Sequence, residues 1–458
     1  MPVHPFPALY NGRSRILILG SFPSVKSREA NFFYGHPRNR FWELTARLRK
    51  APVPRTIEEK KAFLLENGIA LWDVIKSCDI RGSSDSSIKN VIPNDLSEIL
   101  DHAPIEMIYC NGTTSWNLYE KYIRPATGIP AVKLPSTSPA NAAWTLEKLE
   151  KAWQRINIPL DMPVSYRRCT LCPRQCGIDR FREKGFCELP PYPVLARAAL
   201  HPWEEPVISG TRGSGTVFFS GCNLRCSFCQ NYKISQENFG KAVSSGRLSE
   251  IFLELQEQGA HNINLVTAAP YLPSVLEALE AVRGDLRIPV VYNSGGYETE
   301  EAVELLSPYV SVWLPDLKYR DPALAASLSR AGDYYDRAIL AIRAMIRHAG
   351  PPVLEDGLLK RGVVIRHLVL PGHKEDSIAL LHEIKKELPE GSFLISLMSQ
   401  YTPYRKSTEH PEINRRITTY EYNKVLDAAI ELGLDRGFMQ EKSSAKEEYT
   451  PPFSLEGV

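Results

Sequence analysis

Three cysteines, Cys222, Cys226 and Cys229, occur with the spacing CxxxCxxC in one short segment of the chain. Three thiolates can hold three corners of a [4Fe-4S] cube and leave the fourth iron open to a small molecule. The alternatives are a zinc knuckle or inert buried thiols. Structural zinc usually takes four N/S ligands in paired C-x2-C spacings, and neither His nor a further Cys follows Cys229 nearby. The spacing therefore favours an iron–sulfur cluster with an open iron.

A second cysteine set has the spacing C-x2-C-x3-C-x10-C. Four thiolate ligands can close a metal site completely, either as an accessory iron–sulfur cluster that relays electrons or as a structural zinc site. Thiolates suit both metals, so the residue types leave this choice open. The set consists of Cys169, Cys172, Cys176 and Cys187.

The composition is that of a globular protein, with 43% hydrophobic and 24% charged residues among 458. A chain of this length is expected to form two or three domains. It contains no apolar run approaching the roughly 18 residues of a membrane span, and its N-terminus lacks the pattern of a signal peptide. Seven of the nine cysteines lie between residues 169 and 229, which indicates reduced thiolate ligands rather than disulfides. We therefore expect a cytoplasmic protein without a membrane partner.

The chain divides at the proline-containing segment 157–163, which follows a predicted helix. We predict a domain at 1–156, a linker and Cys-rich segment at 157–200, a second domain at 201–440 and a tail at 441–458. In the second domain, short apolar runs alternate with amphipathic segments, which indicates a parallel sheet with crossover helices. The runs are 217–220, 263–267, 290–293, 310–314, 363–370 and 393–398, and the helices are 248–258, 272–282, 299–306, 337–348, 378–388 and 419–432.

The CxxxCxxC motif has an aromatic residue, Phe228, before its last cysteine, and further runs at 198–206, 208–216, 314–319, 365–372 and 399–403 accompany it. Together they resemble radical S-adenosylmethionine (SAM) proteins similar to pyruvate formate-lyase activating enzyme. The resemblance implies a partial (βα)6 barrel, with SAM bound to the open iron and cleaved to a 5'-deoxyadenosyl radical. It also implies an electron donor such as flavodoxin or ferredoxin. The substrate is unknown, and a protein such as a glycyl radical enzyme is one candidate.

Within this resemblance, Phe228 is expected to pack near the SAM adenine, and Gly295 and Gly296 are expected to let the backbone approach SAM. The alternatives are a core position for Phe228 and a turn at the glycines. One departure matters: the Gly-Gly-Glu run that many family members use for the SAM amino group is replaced by Thr267-Ala268-Ala269-Pro270. The contact to the SAM amino group is therefore unassigned.

The N-terminal part carries a different set of motifs. A buried strand runs into a tight loop at 16–24, and the runs 34–42, Asn111-Gly112 and 134–141 follow. These resemble the hypoxanthine-DNA glycosylase branch of the uracil-DNA glycosylase superfamily. The resemblance implies a three-layer α/β/α domain that binds DNA, flips a deaminated base out of the duplex and hydrolyses its glycosidic bond.

The resemblance also assigns roles. Phe22 stands where many members carry a catalytic Asp or Asn and is expected beside the base, so the catalytic role falls to Asn39. Asn39 has an alternative as a helix N-cap. Asn111 is expected to read the base edge, and a polar loop is expected to press on the DNA backbone. The residues of that loop are Ser136, Ser138 and Asn141.

Residues 1–60 carry eleven Lys or Arg against four Asp or Glu, which suits a phosphate backbone. The alternative for this excess of basic residues is a solvated helix face, such as residues 47–50. We therefore predict a bifunctional fusion of a radical SAM enzyme and a glycosylase that removes hypoxanthine or uracil. The alternative is one nucleic-acid repair or modification radical SAM enzyme whose N-terminal domain is a nucleic-acid-binding module.

Overall fold

The computed structural model describes residues 2–439 and 451–458, so residues 441–450 of the predicted tail lie outside the described residues. No helix within these two ranges combines the length and hydropathy of a membrane span. The chain forms two compact units, which are described separately below. The first contains 1–167, 243–249 and 273–281, and the second contains 168–242, 250–272 and 282–458.

The first unit is built on strands β1 (Ile16–Gly20), β2 (Ile69–Asp73), β3 (Ile75–Asp79), β4 (Lys89–Pro93), β5 (Met107–Asn111) and β6 (Val132–Leu134). Four of them form a parallel sheet in the order β2-β1-β5-β6, while β3 and β4 form a separate antiparallel pair. The central strand β1 is apolar and buried along its whole length, as expected for a parallel strand covered on both faces. Ile16 and Ile18 enter one core cluster, and Leu17 and Leu19 enter another.

Helices cover both faces of this sheet. They are α1 (Val25–Glu29), α2 (Phe41–Leu48), α3 (Ile57–Glu66), α4 (Ser97–His102), α5 (Thr113–Leu118), α6 (Arg124–Thr127), α7 (Leu146–Trp153) and α8 (Asn157–Asp161). Apolar side chains of α2, α3 and α7 join the first core cluster, and those of α4 and the turn after α5 join the second. The predicted three-layer α/β/α architecture is confirmed. The predicted domain boundary at residue 157 stays a prediction; α8 begins there.

The second unit contains a larger sheet in the order β16-β15-β14-β12-β11-β10-β8-β7-β9. Neighbours from β8 to β16 are parallel, whereas β7 and β9 are antiparallel and β13 pairs with β14 as a hairpin. The strands are β7 (Val194–His201), β8 (Ser214–Phe219), β9 (Lys241–Ala242), β10 (Ile263–Val266), β11 (Val290–Ser294), β12 (Val312–Pro315), β13 (Val353–Glu355), β14 (Leu358–Leu368), β15 (Leu394–Met398) and β16 (Gly437–Met439).

Each of the six predicted apolar runs is a parallel strand of this sheet, and helices separate them, so the predicted partial (βα)6 architecture is confirmed. The sequence did not predict β7, whose many alanines have low β-propensity. The helices after residue 168 are α9 (Pro206–Ser209), α10 (Tyr232–Ser235), α11 (Ser245–Glu257), α12 (Leu272–Val282), α13 (Glu300–Leu306), α14 (Pro322–Ser329), α15 (Tyr334–Ala349), α16 (Lys374–Glu387) and α17 (Thr419–Glu431).

Residues 451–458 lie along β7. The Leu455 N–H donates to the Ala196 carbonyl at 3.0 Å, and the Glu456 carbonyl accepts from the Ala198 N–H at 2.8 Å. Gly457 has a φ of 73°, and a Cβ there would come within 2.0 Å of the Ala198 carbonyl oxygen. This end of the chain is therefore a packed part of the second unit.

Candidate functional sites

The cysteines of the CxxxCxxC motif lie in the loop after β8, at the carboxyl end of the parallel sheet. A backbone N–H donates to Cys222 Sγ at 3.4 Å. The Ser329 hydroxyl donates to Cys226 Sγ at 2.9 Å, and Ser235 Oγ lies 3.2 Å from Cys229 Sγ. Hydrogen bonds to ligating sulfurs are among the features that tune iron–sulfur clusters.

The pKa shifts of two of these thiols show that their charged forms are disfavoured. Burial, with the neighbouring thiols, raises the pKa of Cys222 far above its usual range and the pKa of Cys229 to about 11. The thiolate forms of Cys222 and Cys229 therefore need a strong positive charge beside them, which a metal centre provides. Three soft sulfur donors that share one loop and each have a hydrogen-bonding neighbour fit a cluster held at three corners.

The residues expected near SAM surround this loop. Phe228 is buried, and its ring centroid lies 5.9 Å from that of Tyr401. A Cβ on Gly295 would come 3.1 Å from a side chain of the cysteine loop. Gly296 has a φ of 77°, and a Cβ there would lie 2.0 Å from the Asp316 carbonyl oxygen, so tight backbone packing already requires this glycine. The roles of Phe228, Gly295 and Gly296 in SAM binding stay predictions.

Thr267, the first residue after β10, replaces the start of the Gly-Gly-Glu run. Its φ is 62°, a left-handed conformation that is costly for a β-branched residue. Strain of this kind gathers at functional loops. The departure in sequence thus coincides with a strained backbone at the carboxyl end of the sheet.

All four cysteines of the second set line one small cavity of about 20 Å³ in the second unit. Burial, with neighbouring thiols of the set, raises the pKa of Cys172 to about 12, and burial also raises the pKa of Cys187. Gly185 packs so closely that a Cβ there would lie 3.2 Å from Cys176 Sγ. Four thiols that line one cavity are the donor set of a metal site closed entirely by protein ligands.

Arg174 connects the two cysteine sets. Its Nε donates to the Asn223 carbonyl at 2.9 Å, and its Nη1 donates to the Arg330 carbonyl at 2.5 Å. Asn223 follows Cys222 directly in sequence and also lines the cavity of the second set. The two cysteine sets therefore share a wall of protein.

A cavity of about 820 Å³ opens at the carboxyl ends of the strands in the second unit. It is called the barrel cavity below. Strand residues that line it lie at or near the last positions of β8, β10, β11, β14 and β15, and Gln230 and Asn231, which follow Cys229, complete that side. Its volume falls in the range of small-molecule and cofactor sites. These strands contribute Phe218, Val266, Asn293, Arg366 and Met398 to its wall, and His201 of β7 and the three residues of β16 also line it.

The first unit holds a cavity of about 500 Å³, called the base cavity below. Of the residues expected to contact base or DNA, it brings together Phe22, Asn39, Asn111, Ser136 and Ser138. Lys26 and His36 also line it, and their side chains add basic groups. Five of the six sequence-derived residues thus converge on one space, and Asn141 is not among the residues that line it.

Asn39 stands before helix α2, and its Oδ1 accepts the Phe41 N–H at 3.0 Å. The N-cap position of α2 is Arg40, so the alternative prediction of Asn39 as the N-cap is wrong, although its side chain does bond the first residue of the helix. This hydrogen bond fixes the carboxamide plane and leaves Nδ2 as a donor on a side chain that lines the base cavity. The hydrogen bond to α2 therefore leaves Asn39 able to act in the base cavity, and its catalytic role stays a prediction.

Asn111 is bonded to the neighbouring loop at both ends of its carboxamide. Its Nδ2 donates to Thr137 Oγ1 at 2.9 Å, and its Oδ1 accepts the Thr137 N–H at 3.0 Å. Asn141 holds the same loop, since its Nδ2 donates to the Ser136 carbonyl at 2.9 Å. In this structure Asn111 organises the loop that carries Ser136 and Ser138, and its role in reading a base stays a prediction.

Arg40 is a residue that the sequence reasoning missed. Its Nη2 donates to the Ser138 carbonyl at 2.5 Å and to the Asn141 carbonyl at 3.1 Å, and its Nε donates to the Thr137 carbonyl at 3.3 Å. A further bond goes from Nη1 to the Trp144 carbonyl. The guanidinium of the residue directly after Asn39 therefore anchors the backbone of the polar loop.

Asp73, at the end of β2, was missed as well and lines the base cavity. Its Oδ2 lies 2.8 Å from His4 Nε2, while His4 Nδ1 lies 2.7 Å from the Phe6 carbonyl oxygen. A carbonyl only accepts, so Nδ1 carries a proton, and the contact between Nε2 and Oδ2 requires one more. The pair is therefore neutral as a whole, and Oδ1, which lies over Gly20, is an acceptor in either proton arrangement.

The sequence comparisons agree with this division. Residues 7–157 match the uracil DNA glycosylase superfamily, and residues 216–384 match the Radical SAM superfamily. The uncharacterized protein MJ0674 of Methanocaldococcus jannaschii is 33% identical over 279 residues, 59% of this chain and 76% of that protein. The hypoxanthine DNA glycosylase of Methanosarcina acetivorans is 34% identical over 152 residues, 33% of this chain and 95% of that protein.

The crystal structure of SuiB from Streptococcus suis bound to S-adenosylmethionine covers 48% of this chain and 48% of its own, at 14% identity and a TM-score of 0.34. The family and sequence matches show that the chain belongs to the uracil DNA glycosylase superfamily through its N-terminal part and to the Radical SAM superfamily through its C-terminal part. It is an enzyme whose cofactors are a [4Fe-4S] cluster and SAM.

Proposed function

We propose that the first unit is a DNA glycosylase that removes deaminated bases, hypoxanthine or uracil. The observation that carries this proposal is the base cavity, which places the carboxyl group of Asp73 and the carboxamide of Asn39 around one space of about 500 Å³. Enzymes that act on a base in DNA flip it into such a pocket and recognise its Watson–Crick edge.

Asp73 suits the chemistry that separates a deaminated base from its parent. Adenine N1 and cytosine N3 are lone-pair acceptors, whereas the same atoms of hypoxanthine and uracil carry hydrogen. The free Oδ1 of Asp73 can accept this N–H, and it would face a lone pair in the undamaged base. A buried acceptor left against another acceptor costs about 1–3 kcal/mol. The carboxyl group thus favours release of the damaged base.

Asn39 is the residue proposed to act near the sugar. Its Oδ1 is held by α2, so its Nδ2 can orient water or stabilise developing negative charge, although an amide cannot take a proton as a carboxylate does. DNA is the proposed partner of this unit. The Lys26 ammonium, with a side chain 57% exposed, and the loop of Ser136, Ser138 and Asn141 are its proposed phosphate contacts.

The test is base release from duplexes that contain one deoxyinosine, deoxyuridine or normal deoxyadenosine. Full-length protein is expected to release hypoxanthine or uracil and to leave adenine. Asn39→Ala is expected to lower the rate by about a hundredfold or more, while the exposed Asn90→Ala serves as the matched control. Failure of wild-type protein to release any base would favour a binding module.

We propose further that the second unit performs radical chemistry of the activating-enzyme type. When bound at Cys222, Cys226 and Cys229, the cluster supplies the electron that cleaves SAM. The protein's own residues hold the cofactors, shape the barrel cavity and exclude water. A flavodoxin or ferredoxin is the proposed electron donor, and a glycyl radical enzyme remains one proposed substrate.

For the second cysteine set we propose an accessory iron–sulfur cluster, with structural zinc as the alternative. The shared wall at Asn223 and Arg174 supports the first choice, because an electron relay must lie close to the cluster that it serves. The four thiols alone would fit either metal. The position of the set relative to Cys222 therefore carries this proposal.

Anaerobic reconstitution with iron and sulfide tests both ideas. A reducible cluster whose electron paramagnetic resonance spectrum shifts with SAM, with 5'-deoxyadenosine formed, would support the radical function. About eight irons per chain would assign the second set to another cluster, and about four with one zinc would assign it to zinc. A Cys172→Ala variant should lose only the metal of the second set.

A further inference from the structure

The barrel cavity contains an unusual balance of buried charge. Three carboxylates, Glu204, Glu205 and Asp316, lie in or beside it, together with two cations, Lys318 and Arg366. Burial raises the pKa of both glutamates, whereas the two cations hold the pKa of Asp316 below its usual range. The acidic groups outnumber the basic ones.

The cations are already committed to Asp316. Lys318 Nζ lies 2.5 Å from Asp316 Oδ2, and Arg366 donates to Asp316 Oδ1 at 2.9 Å through Nη2 and at 3.0 Å through Nε. Arg366 reaches Glu204 only at 3.6 Å. Asp316 therefore holds both cations at hydrogen-bonding distance, whereas Arg366 acts on the two glutamates only over a longer distance.

The hydrogen bonds that Glu204 and Glu205 accept come from neutral donors. Glu204 accepts the Asn264 amide at 3.0 Å and the Asn293 amide at 3.4 Å. Glu205 accepts the Ser396 hydroxyl at 2.9 Å and is 8% exposed. In the described part of the chain, no Lys or Arg nitrogen lies within 4.0 Å of the Glu205 carboxylate. A buried carboxylate with so few donors favours a positively charged partner.

We propose that Glu204 and Glu205 bind a positively charged nitrogen of the substrate, an alkylammonium or a guanidinium group. This inference rests on the proposed radical function of the second unit, since the cavity lies beside the cysteine loop at Gln230 and Asn231. Substrates that are neutral or anionic at this position are disfavoured.

Calorimetric titration of the anaerobically reconstituted full chain tests the charge preference. The probes are n-pentylamine, agmatine, n-pentanol and pentanoate, which differ in charge at similar size. One of the two cations is expected to bind about tenfold tighter than pentanol. Equal or tighter binding of pentanol or pentanoate, or binding of neither cation, would overturn the proposal.

Glu205→Gln and Glu204→Gln locate the effect. Each is expected to weaken binding of the cation about tenfold and to change pentanol binding little, while the exposed Glu390→Gln is the control. Cation binding that both variants leave intact would contradict the assignment, as would a loss confined to SAM affinity. Formation of 5'-deoxyadenosine by wild-type protein is measured separately. Its absence would refute the radical function and leave the binding result standing.

Discussion

The two candidate sites are prepared for chemistry in opposite ways. In the base cavity, the polar side chains are bonded to other protein groups: Asn39 to the start of α2, Asn111 to Thr137, and Asp73 to His4. In the CxxxCxxC loop, burial and neighbouring thiols instead raise the pKa of Cys222 and of Cys229. The first site is preorganised by the chain alone, whereas the second becomes electrostatically favourable only with its metal centre.

This difference explains where each unit depends on its surroundings. A hydrogen-bonded cavity loses function when one hydrogen bond of its scaffold is removed, because its donors and acceptors are then no longer correctly oriented. A thiolate site loses function when its metal leaves, because the ligands protonate and the cofactor's open position disappears. Air and chelators should therefore affect the second unit far more than the first.

The largest expected effect comes from Cys226→Ser. Removing one of three ligands should abolish the cluster and reduce formation of 5'-deoxyadenosine by at least about a hundredfold, because no iron then binds SAM. Base release by the same protein should stay within about twofold of wild type. Iron counting and both assays on one preparation check this. A parallel loss of base release would mean that the two sites are coupled.

Arg40→Gln should come next. Its guanidinium fixes the carbonyls of Thr137, Ser138 and Asn141, so its loss should loosen the polar loop and slow base release about tenfold to a hundredfold. Rates at saturating deoxyinosine duplex measure the effect, with Arg55→Gln, exposed and outside the base cavity, as the control. An unchanged rate would show that the loop needs no such anchor.

The features that the sequence could predict are those that contiguous motifs carry. The predicted metal ligands lie in short runs of sequence. The six apolar runs are also contiguous, and each is a parallel strand of the second sheet. Asn39 was found through a contiguous motif too. Asp73 was not, because its meaning depends on His4, which is 69 positions away in sequence.

The same limit applies to Arg40 and to Glu205. Arg40 was read only as part of a motif, although it binds carbonyls nearly 100 positions later. Glu205 meets Ser396 across 191 positions. Charge balance inside a cavity is a property of side chains that the fold brings together. Neither the spacing of residues in the sequence nor the composition predicts it.

Asp73→Asn should produce an intermediate effect that sharpens the contrast. The amide can donate to His4 and still present an oxygen, so release of hypoxanthine should fall by only about tenfold, while Asp73→Ala should cost about a hundredfold. The ratio of hypoxanthine to adenine release is the informative quantity. A ratio that both variants leave at the wild-type value would remove Asp73 from base discrimination.

The smallest expected effect concerns His201 in the second unit, whose surroundings differ from those of His4 in the first unit. His4 has a carboxyl partner, whereas burial and the charge of Arg197 lower the pKa of His201 to about 4. Between about pH 4 and pH 6.5 the unfolded chain therefore binds a proton that the folded chain does not. Stability should fall as pH decreases through this window, by on the order of 2 kcal/mol. Melting temperatures of wild type and His201→Gln near the two limits measure it. The variant should show a shallower dependence on pH, and equal slopes would place the His201 pKa near its ordinary value.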